Sequence, residues 1–385
     1  MKGKKIAALL LAGCMAVTAL SGCGMDKDAI VATMDGQEVT LGVANFLCRY
    51  QQAESDDMYS YYAYYYGYDF VWSEDLYSSG STTQEDLKES VMDELHTLYT
   101  LKLHMDDYGV EITEEDEAAI AEAAEAFMES NSEEAIELLG ATQEIVEEVL
   151  TLYTIQYRMY EEIIKGADTE VSDEEANMRG YTYVSQYLLG YYDDDYNLNE
   201  YTEDEQAEFA ENFEAMEAAI ADGEDYDTVV EEYGYTTSTN TYAADDDSLD
   251  EDLIATLDEL AEGESAMVTT DYYLYLVRLD SETDEEATEE NRQSIIEERQ
   301  EDYYAEIVEG WQEDDGWTVK AKVLKKIQFE NLFTTVSEST ETESVEDTEG
   351  TEAVETTEGT EAEETTEGTE AVETTEGTET VDGTE

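Results

Sequence analysis

The sequence predicts an α+β protein: a mainly helical N-terminal part, a mixed part in the middle, a further helix and strand, and a disordered acidic tail. Three observations carry this reading. Apolar residues recur at three- and four-residue spacing over Leu87–Leu101 and again over Ile145–Met159, the period of amphipathic helices. YTYVSQYLL (181–189) and YYLYLVRL (272–279) are rich in tyrosine and aliphatic residues and read as strands instead. After Phe333 the composition collapses into threonine, glutamate and glycine.

Lys2, Lys4 and Lys5 precede an apolar run from Ile6 to Leu20, and Leu20-Ser21-Gly22-Cys23 follows. The run is too short to span a bilayer and fits the apolar region of a signal peptide. Small residues before a cysteine at this place resemble the bacterial lipobox, in which cleavage falls before a cysteine that is then diacylated. Residues 1–22 are therefore read as a lipoprotein signal peptide, Cys23 as the lipidation site, and 23–28 as a lipidated linker. The plainer alternative is an ordinary signal peptide with an incidental cysteine. The mature chain is expected to be anchored to a membrane rather than to cross it.

Ala29 to Thr40 reads as a hairpin, because Asp35-Gly36 separates two short apolar stretches. Thr40 can cap the helix that follows. Tyrosines then crowd positions 59–68, a large apolar area with polar tips. Tyr61, Tyr62, Tyr64, Tyr65 and Tyr66 are candidates for binding unfolded chains; the alternative is an extension packed on its own domain. Further helices are expected from Thr83, after Thr113 with Asp116 as its capping partner, over Glu133–Leu139, and from Thr142 to Lys165. Together 29–166 form the N-terminal domain. His96 and His104 share one helix face and read as packed side chains, not metal ligands. Cys48 reads as a small buried residue on a helix.

The middle domain, 167–281, starts on a short helix capped by Ser172, and its opening strand follows at 181–189. Helices are expected over 205–222, 226–233 and 249–260, then strands over 266–269 and 272–279. TNTYAADDDSLDEDL (239–253) reads as a loop leading into the third of these helices. Residues 282–333 add a helix and the strand-like WTVKAKVLKKIQF (317–329), whose lysines are expected to pair with acids elsewhere in the fold. Residues 334–385 include three passes of a nine-residue unit over Thr348–Thr374 and carry no Lys or Arg, so they read as a disordered, extended tail.

There are 102 acidic residues against 17 basic, a formal net charge of −85. Such a surface repels nucleic acid and attracts cations and basic partners. The chain contains no proline, so no X-Pro isomerisation slows its own folding.

The order of these parts resembles the SurA/PrsA-type foldases. AIVATMDGQEVTLGVANFL resembles their N-terminal entry, and WTVKAKVLKKIQF stands where a final strand returns to complete that domain. VSQYLL, EAMEAAIADGEDYDTVVEEYG and LDELAEGESAMVTTDYYLYLVRL resemble the strands and helices of a parvulin-like domain. The resemblance implies a SurA-like domain at 29–166 completed by 282–333, with a parvulin-like domain at 167–281. It also implies a lipoprotein on the outer face of the cytoplasmic membrane in a Gram-positive type bacterium. Its partners would be unfolded or nascent secreted proteins, with no cofactor, metal or nucleic acid. A parvulin site centres on two histidines, which fall here on Gln186 and Tyr273. Both being replaced, the expectation is a degenerate domain in a holding chaperone without efficient isomerase activity and with no assigned catalytic residue. The alternatives are an active peptidyl-prolyl isomerase and a surface lipoprotein that works in adhesion or cation binding through its tail.

Overall fold

The computed structural model describes residues 14–16, 25–66, 71–75, 79–193, 196–244, 246, 248–329 and 333–336. Cys23 and the repeat tail lie outside the described residues. The fold is a mixture of helix and sheet, as the sequence predicts.

A short strand β1 (Cys14–Ala16) pairs antiparallel with the last one, β11 (Thr334–Val336). β2 (Ile30–Met34) and β3 (Gln37–Thr40) form the expected hairpin. Asp35 and Gly36 turn it with φ of 40° and 85°, the paired positive values that match the twist of two flanking strands. The Thr40 hydroxyl accepts from the Val43 amide at 3.3 Å and starts α1 (Leu41–Tyr66). The helix continues through the tyrosine-rich stretch.

α2 (Thr83–Leu103) and α3 (Glu114–Ser130) each open on a capping box, Thr82 with Glu85 and Thr113 with Asp116. α4 (Glu133–Leu139) stops at Gly140, which is left-handed, and α5 (Gln143–Ile163) closes the helical body. Its core holds Val31, Phe46, Leu47, Cys48, Leu95, Leu98, Phe127, Val149 and Leu152, all buried. Burial pushes the Cys48 thiol up to about 12, so it stays a protonated, unreactive packing residue.

After a one-turn helix α6 (Asp173–Ala176) capped by Ser172, the middle of the chain forms a four-stranded sheet and the helices packed on it. Its elements run β4 (Arg179–Tyr187), β5 (Gly190–Tyr192), β6 (Leu198–Glu200), α7 (Glu203–Ala221), α8 (Tyr226–Glu232), β7 (Ser238–Tyr242), α9 (Glu251–Glu259), β8 (Ser265–Thr269) and β9 (Tyr273–Ser281). The sheet order is β7-β4-β9-β8, antiparallel throughout. Three of these elements differ from the sequence reading. Ser238–Tyr242, read as part of a loop, is an edge strand. Its polar side chains lack the apolar alternation of a half-buried strand, and only Tyr242 is buried. The acidic stretch after β4 forms the β5–β6 hairpin. There Gly190 is required, because a Cβ would run into the Asn199 carbonyl.

α10 (Glu285–Gln312) leads back, and its Val308 packs with Leu101, Ile155 and Met159 of the helical body. The returning segment does complete the N-terminal sheet, in the order β10-β2-β3. It is not one long strand, however. β10 is only Thr318–Val319, followed by the short helix α11 (Ala321–Leu324). A continuous strand would put Lys325 on the same face as Val323 and Ile327. The helical turn leaves Lys325 in solvent while Ile327 and Phe329 enter the core. Lys320, Lys322, Lys325 and Lys326 are all exposed and, contrary to expectation, none makes an ion pair among the described residues.

Side chains from α1 and α2 hold this segment. The Arg49 guanidinium donates to the Gln328 carbonyl at 2.5 Å and lies over the rings of Phe329 and Phe333, 5.6 and 4.9 Å away. Asp56 accepts from the Phe333 amide and the Trp72 indole, at 2.8 and 2.7 Å. The two histidines do the rest. His96 stacks on Trp317 with ring centroids 4.5 Å apart and bonds Asp315; His104 stacks on Trp311 at 4.1 Å and bonds Asp107.

Candidate functional site

Antiparallel pairing fixes which side chains meet, because residues directly opposite one another point to the same face. Gln186 stands opposite Leu274, and Tyr187 stands opposite Tyr273. Gln186 and Tyr273 are therefore on opposite faces of the sheet, and the two positions matched to the family histidines do not form a pair. Gln186 lies on the face covered by α7 and α8. Its amide nitrogen donates to the Tyr187 carbonyl at 2.9 Å, and its amide oxygen accepts from the Tyr235 hydroxyl at 3.4 Å. Beside it the apolar cluster of Val184, Leu274, Leu276, Phe213, Met216, Val229 and Val230 fills that face.

Tyr273 is on the other face, in company the sequence reading missed. Six tyrosines form an unbroken row of ring contacts there: Tyr242–Tyr181 at 5.7 Å, Tyr181–Tyr183 at 5.6 Å, Tyr183–Tyr275 at 6.1 Å, Tyr275–Tyr273 at 5.5 Å and Tyr273–Tyr187 at 5.1 Å. The signal was in the spacing: Tyr181, Tyr183 and Tyr187, with Tyr273 and Tyr275, are odd-numbered positions of two paired, alternating strands. α9 covers one end, where Leu253 and Leu257 pack on Tyr181 and Tyr242. The remaining four, Tyr183, Tyr275, Tyr273 and Tyr187, are only half-buried.

The open end is framed by more aromatic surface. The Leu188 amide donates to the Tyr272 carbonyl at 2.8 Å, and the β5–β6 hairpin follows directly. Tyr191, Tyr192 and Tyr272 are 55%, 63% and 55% exposed, which makes them available to a partner rather than part of the core. Burial, with smaller effects of Tyr192, Tyr273 and Tyr272, raises the Tyr187 hydroxyl above the ordinary tyrosine range.

The row presents phenol rings and hydroxyls. Burial pushes the Tyr275 hydroxyl up to about 12, helped by Tyr273, Tyr181, Tyr183 and Asp250. Burial also raises Tyr181, against an opposing hydrogen bond from Asn240. These groups remain protonated at neutral pH. They offer ring faces and hydroxyl donors and acceptors, and the sequence's two histidines lie elsewhere, at 96 and 104.

The second predicted surface is the tyrosine stretch of α1. Tyr61 and Tyr65 are 63% and 69% exposed and stack with centroids 6.2 Å apart, so they do not pack into the helical body. The side chains of Tyr62, Tyr64 and Tyr66 lie outside the described residues. The helical body also has a cavity of about 600 Å³ between α2 and the returning segment, floored by Met92, Val319 and Leu324 and rimmed by Lys88, Glu89 and Lys325.

No protein-family model matches the chain, and no curated protein does. Among solved structures it is similar to the foldase protein PrsA from Lactococcus lactis, at 14% identity over 78% of this chain and 99% of that one, with a TM-score of 0.31. It is similar to the foldase protein PrsA from Streptococcus pneumoniae at 18% identity, covering 66% and 98%, with a TM-score of 0.26. It is similar also to a peptidylprolyl isomerase (PrsA) from Bacillus cereus at 12% identity, covering 67% and 98%, with a TM-score of 0.30.

Proposed function

We propose that this chain is an extracytoplasmic holding chaperone for secreted proteins, anchored by lipid at Cys23, and that it works without efficient prolyl isomerase activity. The observation that carries the reading is the half-buried tyrosine row with its exposed aromatic rim. Tyrosine supplies large, stiff contact area and a hydroxyl that adapts to either hydrogen-bond role, which suits sequence-tolerant binding of extended chains. A surface that binds unfolded chains and not folded ones holds them by mass action. The domain division read from the sequence belongs to this proposal: residues 29–166 with 282–333 act as one body and 167–281 as another, client-binding one.

Isomerisation needs the barrier of about 18–20 kcal/mol to peptide rotation lowered. The resemblance would require a pair of imidazoles for this. At the matched positions stand a glutamine and a tyrosine that point to opposite faces of the sheet. The test combines two assays on the same folded protein. Aggregation of a denatured client is expected to be suppressed, and suppression is expected to fall in a Tyr187→Leu/Tyr273→Leu variant. Cis–trans exchange of a proline-containing peptide is expected to run at its uncatalysed rate, tens to hundreds of seconds. Clear catalysis would replace the holding reading by the isomerase reading; suppression unchanged in the variant would move the site elsewhere. Lipidation is tested by the mass of the mature N-terminus and by release of a Cys23→Ala protein from membranes.

A further inference from the structure

We propose that the open end of the tyrosine row selects client segments that carry lysine or arginine. This inference rests on the row being the client-binding face. Its ground is the charge arrangement around the row and a contact within the protein that already has the proposed form.

At the closed end, the Arg179 guanidinium lies over the ring of Tyr242, 5.6 Å from its centroid. Arg179 also bonds Asp258 at 2.7 Å, and the Tyr242 hydroxyl donates to the same carboxylate oxygen at 3.1 Å. Cation, ring and carboxylate thus form one unit at the head of the row. The open end repeats two of the three parts. Rings are present at Tyr275, Tyr273 and Tyr187. Carboxylates are present at Asp250, which caps the start of α9, and at Asp271, exposed and next in sequence to Tyr272.

The cation is the missing part. Between residues 167 and 281 the sequence has only two basic residues, Arg179 and Arg278. Arg179 is used at the closed end. Arg278 belongs to the opposite face, where it bonds Asp280 at 2.6 Å and lies over the ring of Tyr226, 4.8 Å away. No basic residue of this body therefore reaches the open rings. A ring face with a nearby carboxylate attracts a guanidinium or ammonium through the ring quadrupole as well as through the charge. The net charge of −85 concentrates such segments around the protein without choosing where they bind.

The test measures binding of the full chain to three unfolded peptides of equal length and apolar content that carry arginine, glutamine or glutamate at the same positions. Each is titrated at low and at high salt, against wild type and the Tyr187→Leu/Tyr273→Leu variant. Leucine keeps apolar area and removes the ring face. The arginine peptide is expected to bind wild type more tightly than the glutamine peptide at both salt levels, and to lose about tenfold in the variant, while the glutamine peptide changes little. Single Tyr187→Leu and Tyr273→Leu variants, each removing one ring of the open end, cover the case in which the pair fails to fold. An arginine preference that persists in a folded variant and disappears in high salt would mean general attraction to an acidic protein, and would overturn the inference. Equal losses for arginine and glutamine peptides would overturn it too, while leaving the row as the client site. No loss for either peptide would overturn both readings.

Discussion

The two faces of the four-stranded sheet are made by the same strands and differ in what they present. On one face Val184, Leu274 and Leu276 meet Phe213 and Met216, and the contact is closed and apolar. On the other face the intervening residues are Tyr183, Tyr187, Tyr273 and Tyr275, in ring contact yet half-buried. The strand period of two divides the labour. The closed face supplies the stability that lets the open face keep unsatisfied apolar area, which a marginally stable body could not otherwise sustain.

Substitutions separate the two roles. The largest effect is expected from Phe213→Ala, which empties a fully buried ring position on the closed face. It should cost about 3–5 kcal/mol in urea unfolding, with client affinity unchanged in the fraction still folded. Tyr226→Phe tests a polar contact on the same face, where the hydroxyl donates to the Leu276 carbonyl at 2.6 Å. The carbonyl keeps its place in the sheet, so the expected loss is about 1 kcal/mol. On the open face the order reverses. Tyr187→Leu/Tyr273→Leu should change stability by less than about 1 kcal/mol while lowering client binding. If that pair unfolded the protein as Phe213→Ala does, the distinction between the faces would fail.

The smallest expected effect is a pH dependence on the closed side. Hydrogen bonds from the Thr228 amide and hydroxyl to Asp225, at the start of α8, hold its carboxyl below the ordinary aspartate range. A carboxyl depressed in the native state contributes stability above its unfolded pKa, and that contribution is lost as pH falls through the native value. An Asp225→Ala protein should therefore be slightly less stable at neutral pH and show a shallower acid limb in unfolding followed against pH. An unchanged acid limb would show that the cap adds nothing to the closed face.

Much of this was open to reading in the chain. Asp35-Gly36, Thr113 with Asp116, Ser172 and Gly140 sit where local chemistry alone places a turn, two caps and a stop, and each is found there. The tyrosine row was half legible. Its spacing is visible in the sequence, yet Gln186 and Tyr273 were matched because each resembles a family position taken singly. β7 escaped because Ser238, Thr239 and Asn240 carry no apolar pattern; their strand form comes from pairing with Tyr181, Thr182 and Tyr183. The stacking of His96 on Trp317 and of His104 on Trp311 joins residues more than 200 positions apart, and no local rule connects them.

The sequence by itself determined the α+β class, the helices with their caps and stops, the hairpin, the extreme charge and the alternation that sends tyrosines to one side of two strands. Those properties depend on neighbours within a few residues, and short-range sterics and hydrogen bonding fix them. Only the tertiary structure decided which residues face each other. Register between β4 and β9 pairs Tyr187 with Tyr273 and turns Gln186 away, since a shift of one residue exchanges the faces of a strand. It also decided that a segment ending at Phe333 completes a core begun at Val31, because that burial exists only once both ends of the chain have met.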